Sequence, residues 1–174
     1  DQLNESLLQQ WSSLEKKIGS LKRTIQIGIL GKYTSLNDAY KSLLESIFHA
    51  GLHHECKIDI KWLNAREDNC LSSLKTVQGV IIPGGFGDTG IETMIKCIRY
   101  LRESKIPTFG ICLGMQMAVI EYARNKLKFS KANSTEMDSE CDFPVIDLME
   151  SQKKIKSKGG TMRLGAWSCK PLNG

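Results

Sequence analysis

Gly110-Ile111-Cys112-Leu113-Gly114 closes a short apolar run, residues 106–111, and opens a helix-like stretch, residues 115–124. A small–x–nucleophile–x–small run at a strand-to-helix junction is the pattern of a nucleophile elbow. The glycines permit a turn that larger side chains would crowd. Such a turn lifts the cysteine sulfur above the carboxyl edge of a sheet. The helix that follows aims its free N–H groups and positive dipole end at that sulfur, and both favour the nucleophilic thiolate. Alone, the motif also fits a buried cysteine in an ordinary strand–loop–helix link. A second glycine loop, Pro83-Gly84-Gly85-Phe86-Gly87, changes the balance, because it too ends an apolar run, residues 77–82. Two such loops can meet at the carboxyl edge of a parallel sheet, where open α/β sheets place ligands.

The rest of the pattern agrees with an α/β fold. Residues 24–30 form a compact apolar run ending at Gly31, the expected first buried strand. Ser35 and Asn37 are N-cap candidates for a helix carrying Ala39, Tyr40, Leu43, Leu44, Ile47 and Phe48 on one face, with Gly51 expected to stop it. Ile58, Ile60 and Trp62 alternate with Lys57, Asp59 and Lys61, as in an edge strand with one wet face. Ile91, Met94, Ile95, Ile98 and Leu101 mark a helix between the strands at 77–82 and 106–111. Strands alternating with helices imply right-handed crossovers and a mostly parallel sheet flanked by helices. The pattern weakens over residues 126–158, residues 145–149 are ambiguous, and residues 162–169 read as one more strand. Leu3, Leu7, Trp11, Leu14, Ile18 and Leu21 recur every three or four residues and predict an N-terminal amphipathic helix.

A chain of 174 residues with 41% apolar content suits one domain with a proper core. No run approaches the roughly 20 apolar residues that cross a membrane, and the opening residues, Asp1-Gln2-Leu3-Asn4-Glu5, do not resemble a signal peptide. The six cysteines include no C-x-x-C, so neither a zinc site nor a thioredoxin-type pair is expected. Free thiols fit a reducing compartment, the cytoplasm. The net charge of +5 is mild. Its densest piece, Lys153, Lys154, Lys156 and Lys158, has no interleaved aromatics for stacking, so a solvated loop is expected rather than a nucleic-acid site.

Three smaller constellations carry less. His49 and His53 have a helical metal-ligand spacing, but Gly51 is expected to break the helix between them and no third ligand is evident. Gly28-Ile29-Leu30-Gly31-Lys32 lacks the spacing of a phosphate loop. Asn133-Ser134-Thr135-Glu136 offers polar groups for a small zwitterion, but also reads as a capped turn, and its sequon means little without secretion.

Taken in order, Gly28-Ile29-Leu30-Gly31-Lys32-Tyr33, Asp38-Ala39-Tyr40-Lys41-Ser42, the two glycine loops, Ala132-Asn133-Ser134-Thr135-Glu136 and Gly159-Gly160-Thr161-Met162-Arg163-Leu164-Gly165 closely resemble the class I (triad-type) glutamine amidotransferase domains of the CTP synthase family. The resemblance covers nearly the whole chain. It implies a flavodoxin-like amidotransferase domain at residues 23–174, with residues 1–22 as the linker helix from an upstream synthetase domain. It implies that Cys112 attacks the side-chain amide of L-glutamine, forming a thioester and releasing ammonia. Backbone N–H groups of Gly85 and Leu113 would hold the oxyanion, each such donor supplying about 3–4 kcal/mol. Gly85, Leu113, Gly114, Met115 and Gln116 would line the glutamine site, and Glu136 would receive the substrate ammonium. No cofactor or metal is implied for this domain. The full enzyme would use ATP and Mg2+ to aminate UTP to CTP, respond to GTP, and assemble as a homo-oligomer, a tetramer, without nucleic acid or membrane.

Two departures stand out. The family completes its triad with a late His-x-Glu, whereas this sequence ends at Gly174 and has no histidine after His54, so the piece by itself is expected to be inactive. Thr89 stands where the family usually has an arginine tied to GTP activation. Two rival readings are another elbow-cysteine hydrolase, PfpI/DJ-1-like, which would lack the Ala132–Glu136 block, and a non-catalytic assembly or regulatory domain.

Overall fold

The computed structural model describes residues 5–32, 37–67 and 70–149. Helix α1 (Glu5–Ser20) leads into β1 (Arg23–Gly31). A 3-10 turn over Asn37–Tyr40 feeds α2 (Lys41–His53), then β2 (Cys56–Asn64) and the short α3 (Cys70–Ser73). There follow β3 (Gly79–Ile82), α4 (Ile91–Glu103), β4 (Thr108–Gly110) and α5 (Leu113–Asn125). Two short strands, β5 (Ala132–Ser134) and β6 (Phe143–Ile146), close the described part.

The main sheet runs β2-β1-β3-β4, and every neighbouring pair is parallel. This is an α/β fold with a mostly parallel sheet flanked by helices, as the alternating pattern predicts. Chain order reverses between β1 and β3, so the crevice beyond their carboxyl ends is the switch point where doubly wound sheets bind ligands. β2 lies at one edge, and its alternating exposed Lys57 and Asp59 match the half-wet pattern read from the sequence.

The core sits between the sheet and the α4–α5 layer. Leu30, Ile82, Met94, Leu101, Met117 and Ile120 are all essentially sealed from solvent. The helical spacing of Ile91, Met94, Ile95, Ile98 and Leu101 puts all five on the buried face of α4. One charge is buried with them. Glu121 is 1% exposed, and Arg102 donates to it in a fork, Nε to Oε2 at 2.9 Å and Nη2 to Oε1 at 2.8 Å. That bidentate pair cross-links α4 to α5 and fixes the helix that carries Cys112 at its start.

Several local readings differ from the structure. Gly51 does not stop α2; the helix passes through it to His53. A Cβ at Gly51 would meet the Cys56 carbonyl at 2.8 Å and Ile58 at 2.9 Å, so the glycine serves close packing of α2 on β2. Glu55, at φ 56°, makes the turn instead. His49 and His53 therefore share a continuous helix, yet among the described residues no three potential ligands converge on a metal site. β4 is confined to Thr108–Gly110, and α5 begins at Leu113 rather than Met115. The ambiguous stretch resolves into β6, paired in parallel with β5. α1 buries no residue, and Trp11 is 68% exposed. The expected strand at 162–169, the lysine run at 153–158, the block at 159–165, the beginning of the N-terminal helix before Glu5 and the Ser35 cap lie outside the described residues, as does the side chain of Asn37.

Candidate active site

The elbow forms as the motif predicts. Cys112 is exposed and takes φ 53°, ψ −110°, a backbone state that a non-glycine residue enters only under local constraint. The constraint comes from its neighbours. The Ile111 N–H donates to the Ile82 carbonyl at 2.8 Å, holding the elbow to the end of β3. The Gln116 N–H donates to the Cys112 carbonyl at 3.0 Å, closing the first turn of α5. A Cβ at Gly110 would lie 2.6 Å from the Gly114 carbonyl carbon and from the Met115 nitrogen. At Gly114, a Cβ would collide with the Ile82 carbonyl oxygen and approach Ile82 Cβ to 2.8 Å. Both motif glycines are thus required by close approach, one inside the turn and one against the strand.

The second glycine loop reaches the same place. A Cβ on Gly84 would sit 3.5 Å from Cys112 Cβ and 3.9 Å from Cys112 Sγ, ordinary van der Waals contact. Gly85 follows directly, half-buried, and Phe86 is exposed beyond it. Register explains the meeting: Ile82 pairs with Gly110, so the loop after β3 and the elbow after β4 leave the sheet side by side.

The other expected site residues are distributed less simply. Leu113 is buried in the core, and the Gly114 face points into Ile82, so only their backbones can face a ligand. Met115 is exposed and Gln116 half-buried. Glu136 lies on the turn after β5, where its N–H donates to Ser134 Oγ at 3.2 Å. The Met137 and Asp138 N–H groups both donate to the Ser134 carbonyl, at 3.0 and 2.9 Å, so Ser134 organises this turn. Arg124 of α5 holds its approach: Nε donates to the Ala132 carbonyl at 2.7 Å, while Nη1 pairs with Glu92 at 2.9 Å. Helix α5 therefore carries Cys112 at one end and anchors the Glu136 turn from the other.

Sequence reasoning names Lys32 only in a weak phosphate-loop pattern and a family block, and gives it no role at the site. It follows β1 at the switch point, is 5% exposed, and donates from Nζ to the Gly87 carbonyl at 2.5 Å and the Phe86 carbonyl at 3.4 Å. Burial pushes this amine below its ordinary range, Arg66 adds to the effect, and Asp88 and Glu136 act in the opposite sense. Lys32 thus shares an electrostatic neighbourhood with the glycine loop and the Glu136 turn. The available signal was a lone cation directly after a buried strand, at an edge where ligands bind.

The chain's three histidines lie elsewhere, on α2 and just after it. That helix packs on β2, at the opposite edge of the sheet from β4. A 520 Å³ apolar cavity also lies at that side, walled by Ile18, Leu44, Phe48, Leu52 and Ile58. Cys56 and Lys57 also border it, but Cys56 is buried, whereas the sulfur at the elbow is exposed beside a glycine loop.

Comparison with known proteins agrees with this geometry. The glutamine amidotransferase class-I family model matches residues 35–174. CTP synthase of Clostridium acetobutylicum is 53% identical over 164 residues, covering 92% of this chain and 31% of that protein. CTP synthase of Flavobacterium johnsoniae is 50% identical over 165 residues, covering 93% of this chain and again 31% of the relative. The chain thus spans about a third of the length of these curated relatives. The solved glutaminase domain of Trypanosoma brucei CTPS, with bound acivicin, matches with a TM-score of 0.68 at 32% identity, covering 74% of this chain and 51% of that one. Family model, relatives and solved domain converge on one assignment: this chain belongs to the class-I glutamine amidotransferase family and is homologous to the glutaminase domain of CTP synthase.

Proposed function

We propose that this chain is the glutaminase part of a CTP synthase, in which Cys112 hydrolyses L-glutamine and an attached synthetase domain uses the ammonia to aminate UTP to CTP. The observation that carries the reading is the exposed Cys112 on a strained elbow with Gly84 packed beside its sulfur. Cys112 Sγ attacks the side-chain amide carbon of glutamine, and the carbonyl electrons move onto oxygen. Backbone N–H groups of Gly85 and Leu113 receive that oxyanion. Collapse breaks the C–N bond, the leaving nitrogen takes a proton, and ammonia departs from a γ-glutamyl thioester. Water then cleaves the thioester, releasing glutamate and restoring the thiol.

Gly85, Gly114, Met115 and Gln116 shape the slot for the substrate, and the Glu136 carboxylate takes its ammonium. The triad chemistry calls for a histidine base oriented by a glutamate, and His49, His53 and His54, across the sheet, do not fill that place. ATP and Mg2+ belong to the synthetase domain. The full-length protein works as a cytoplasmic homo-oligomer, with GTP stimulating glutamine use. No helix of the described residues is long and apolar enough to cross a membrane.

The test is ammonia release from glutamine, measured beside CTP formation from supplied ammonia, in the full-length protein and its Cys112→Ala form. Loss of the first with retention of the second supports the reading. Equal glutamine use in both forms overturns it and leaves the assembly or regulatory role.

A further inference from the structure

The glycine loop that meets Cys112 has little of its own to hold it in place. Gly84, Gly85 and Gly87 carry no side chains, Gly87 sits at φ 77°, and Phe86 is exposed. Oxyanion donors work only when they are aimed before the reaction, because reorganisation during the step wastes their advantage. Something must fix this backbone. The described structure offers one tether with a charge behind it. Lys32 Nζ, buried at the end of β1, bonds the carbonyls of Phe86 and Gly87, the two residues that follow Gly85. A desolvated ammonium is costly unless its protons find acceptors, so the amine and the two carbonyls hold one another. Asp88 on the same loop and Glu136 on the turn after β5 both favour the charged amine. The tether therefore joins β1 to the glycine loop and is sensitive to the residue proposed to bind the substrate ammonium.

We propose that Lys32 is a positioning residue for glutamine hydrolysis: by clamping the Phe86 and Gly87 carbonyls, it holds the Gly84–Gly85 backbone over Cys112 so that the Gly85 N–H faces the developing oxyanion. This inference rests on the glutaminase reading of Cys112. Lys32 touches no reacting atom, and its effect passes through the loop. The bonds to the substrate ground state change little when the clamp is lost, whereas the donor aimed at the transition state moves.

The test uses the full-length protein with Lys32→Met, which keeps the stem and removes the donors, and Lys32→Arg, which keeps a charged donor. Glutamine-dependent ammonia release is measured for kcat and KM, and Cys112 is alkylated with iodoacetamide, which needs an accessible thiol but no oxyanion donors. The expected result for Lys32→Met is a roughly ten- to hundredfold fall in kcat, with KM changed less than about threefold. Alkylation of Cys112 stays within about twofold, and Lys32→Arg recovers most of the lost kcat. A kcat within about twofold of the unchanged protein overturns the proposal, as does a loss matched by an equal fall in alkylation, which marks a collapsed site. Should Lys32→Met not accumulate as folded protein, Lys32→Gln, which is neutral and shorter, takes its place: a lowered kcat at little-changed KM supports the clamp, and an unchanged kcat overturns it. Cys112→Ala, run in parallel, separates the two layers. If it hydrolyses glutamine normally, the glutaminase reading falls and the clamp with it. If it does not, the Lys32 variants judge the clamp alone.

Discussion

Cys112 and the Cys70–Cys97 pair are the same side chain in two opposite settings. Cys112 is exposed, forced to positive φ, and flanked by glycines and the start of a 13-residue helix. Cys70 and Cys97 are sealed between α3 and α4, and their thiols share a hydrogen bond. That bond and burial push the Cys97 thiol far above its ordinary range, toward an inert neutral group. The difference teaches that reactivity here comes from backbone geometry and access rather than from cysteine as such. The fold stores strain at Cys112 and packs Cys56, Cys70 and Cys97 as small hydrophobes.

Cys112→Ala breaks the contrast most strongly. Glutamine-dependent ammonia release by the full-length protein should fall by at least about 10⁴-fold, since catalytic groups act as a unit. Thermal unfolding should move little, because no core contact is removed. Next comes Gly114→Ala, which drives a methyl into the Ile82 carbonyl and should cost about 3 kcal/mol or more in chemical denaturation. A result near zero would mean that the elbow is looser than described. Native-state alkylation should then show Cys112 reacting at least about a hundredfold faster than Cys97, whose thiol is reached only through local opening. Peptide mapping over a time course reads this ratio directly. Cys97→Ala should lower stability by about 1–2 kcal/mol while leaving glutamine hydrolysis unchanged. The smallest effect sharpens the comparison from the other side. Cys112→Gly should remove activity yet raise stability by about 1 kcal/mol, since glycine relieves the positive φ.

Much of this was legible because it rests on local pattern. The elbow, the Pro83–Gly87 loop, the edge alternation of β2 and the buried face of α4 each follow from a short stretch and a fixed period. What escaped depends on distant pairing. Lys32 acquires its part only when the end of β1 lies beside carbonyls more than fifty positions away, a separation of 54 to Phe86. Cys70 and Cys97 meet through the packing of α3 on α4, which no spacing announces. Gly51 was misread because glycine is also what a close helix–strand approach demands, and Ile58 needs that space. β5 hid because Asn133 and Ser134 resemble a turn; their pairing with β6 and the stacking of Phe129 on Phe143, 4.9 Å between ring centroids, make the unit.

The most direct measurement is to expose the full-length protein to acivicin, the molecule bound in the Trypanosoma brucei domain, and locate the adduct by mass spectrometry of peptides. The account predicts one adduct per chain, on Cys112, slowed by excess glutamine and absent from Cys112→Ala. Modification of Cys56, Cys70, Cys97, Cys141 or Cys169 instead, or labelling of Cys112 that glutamine does not slow, would contradict it.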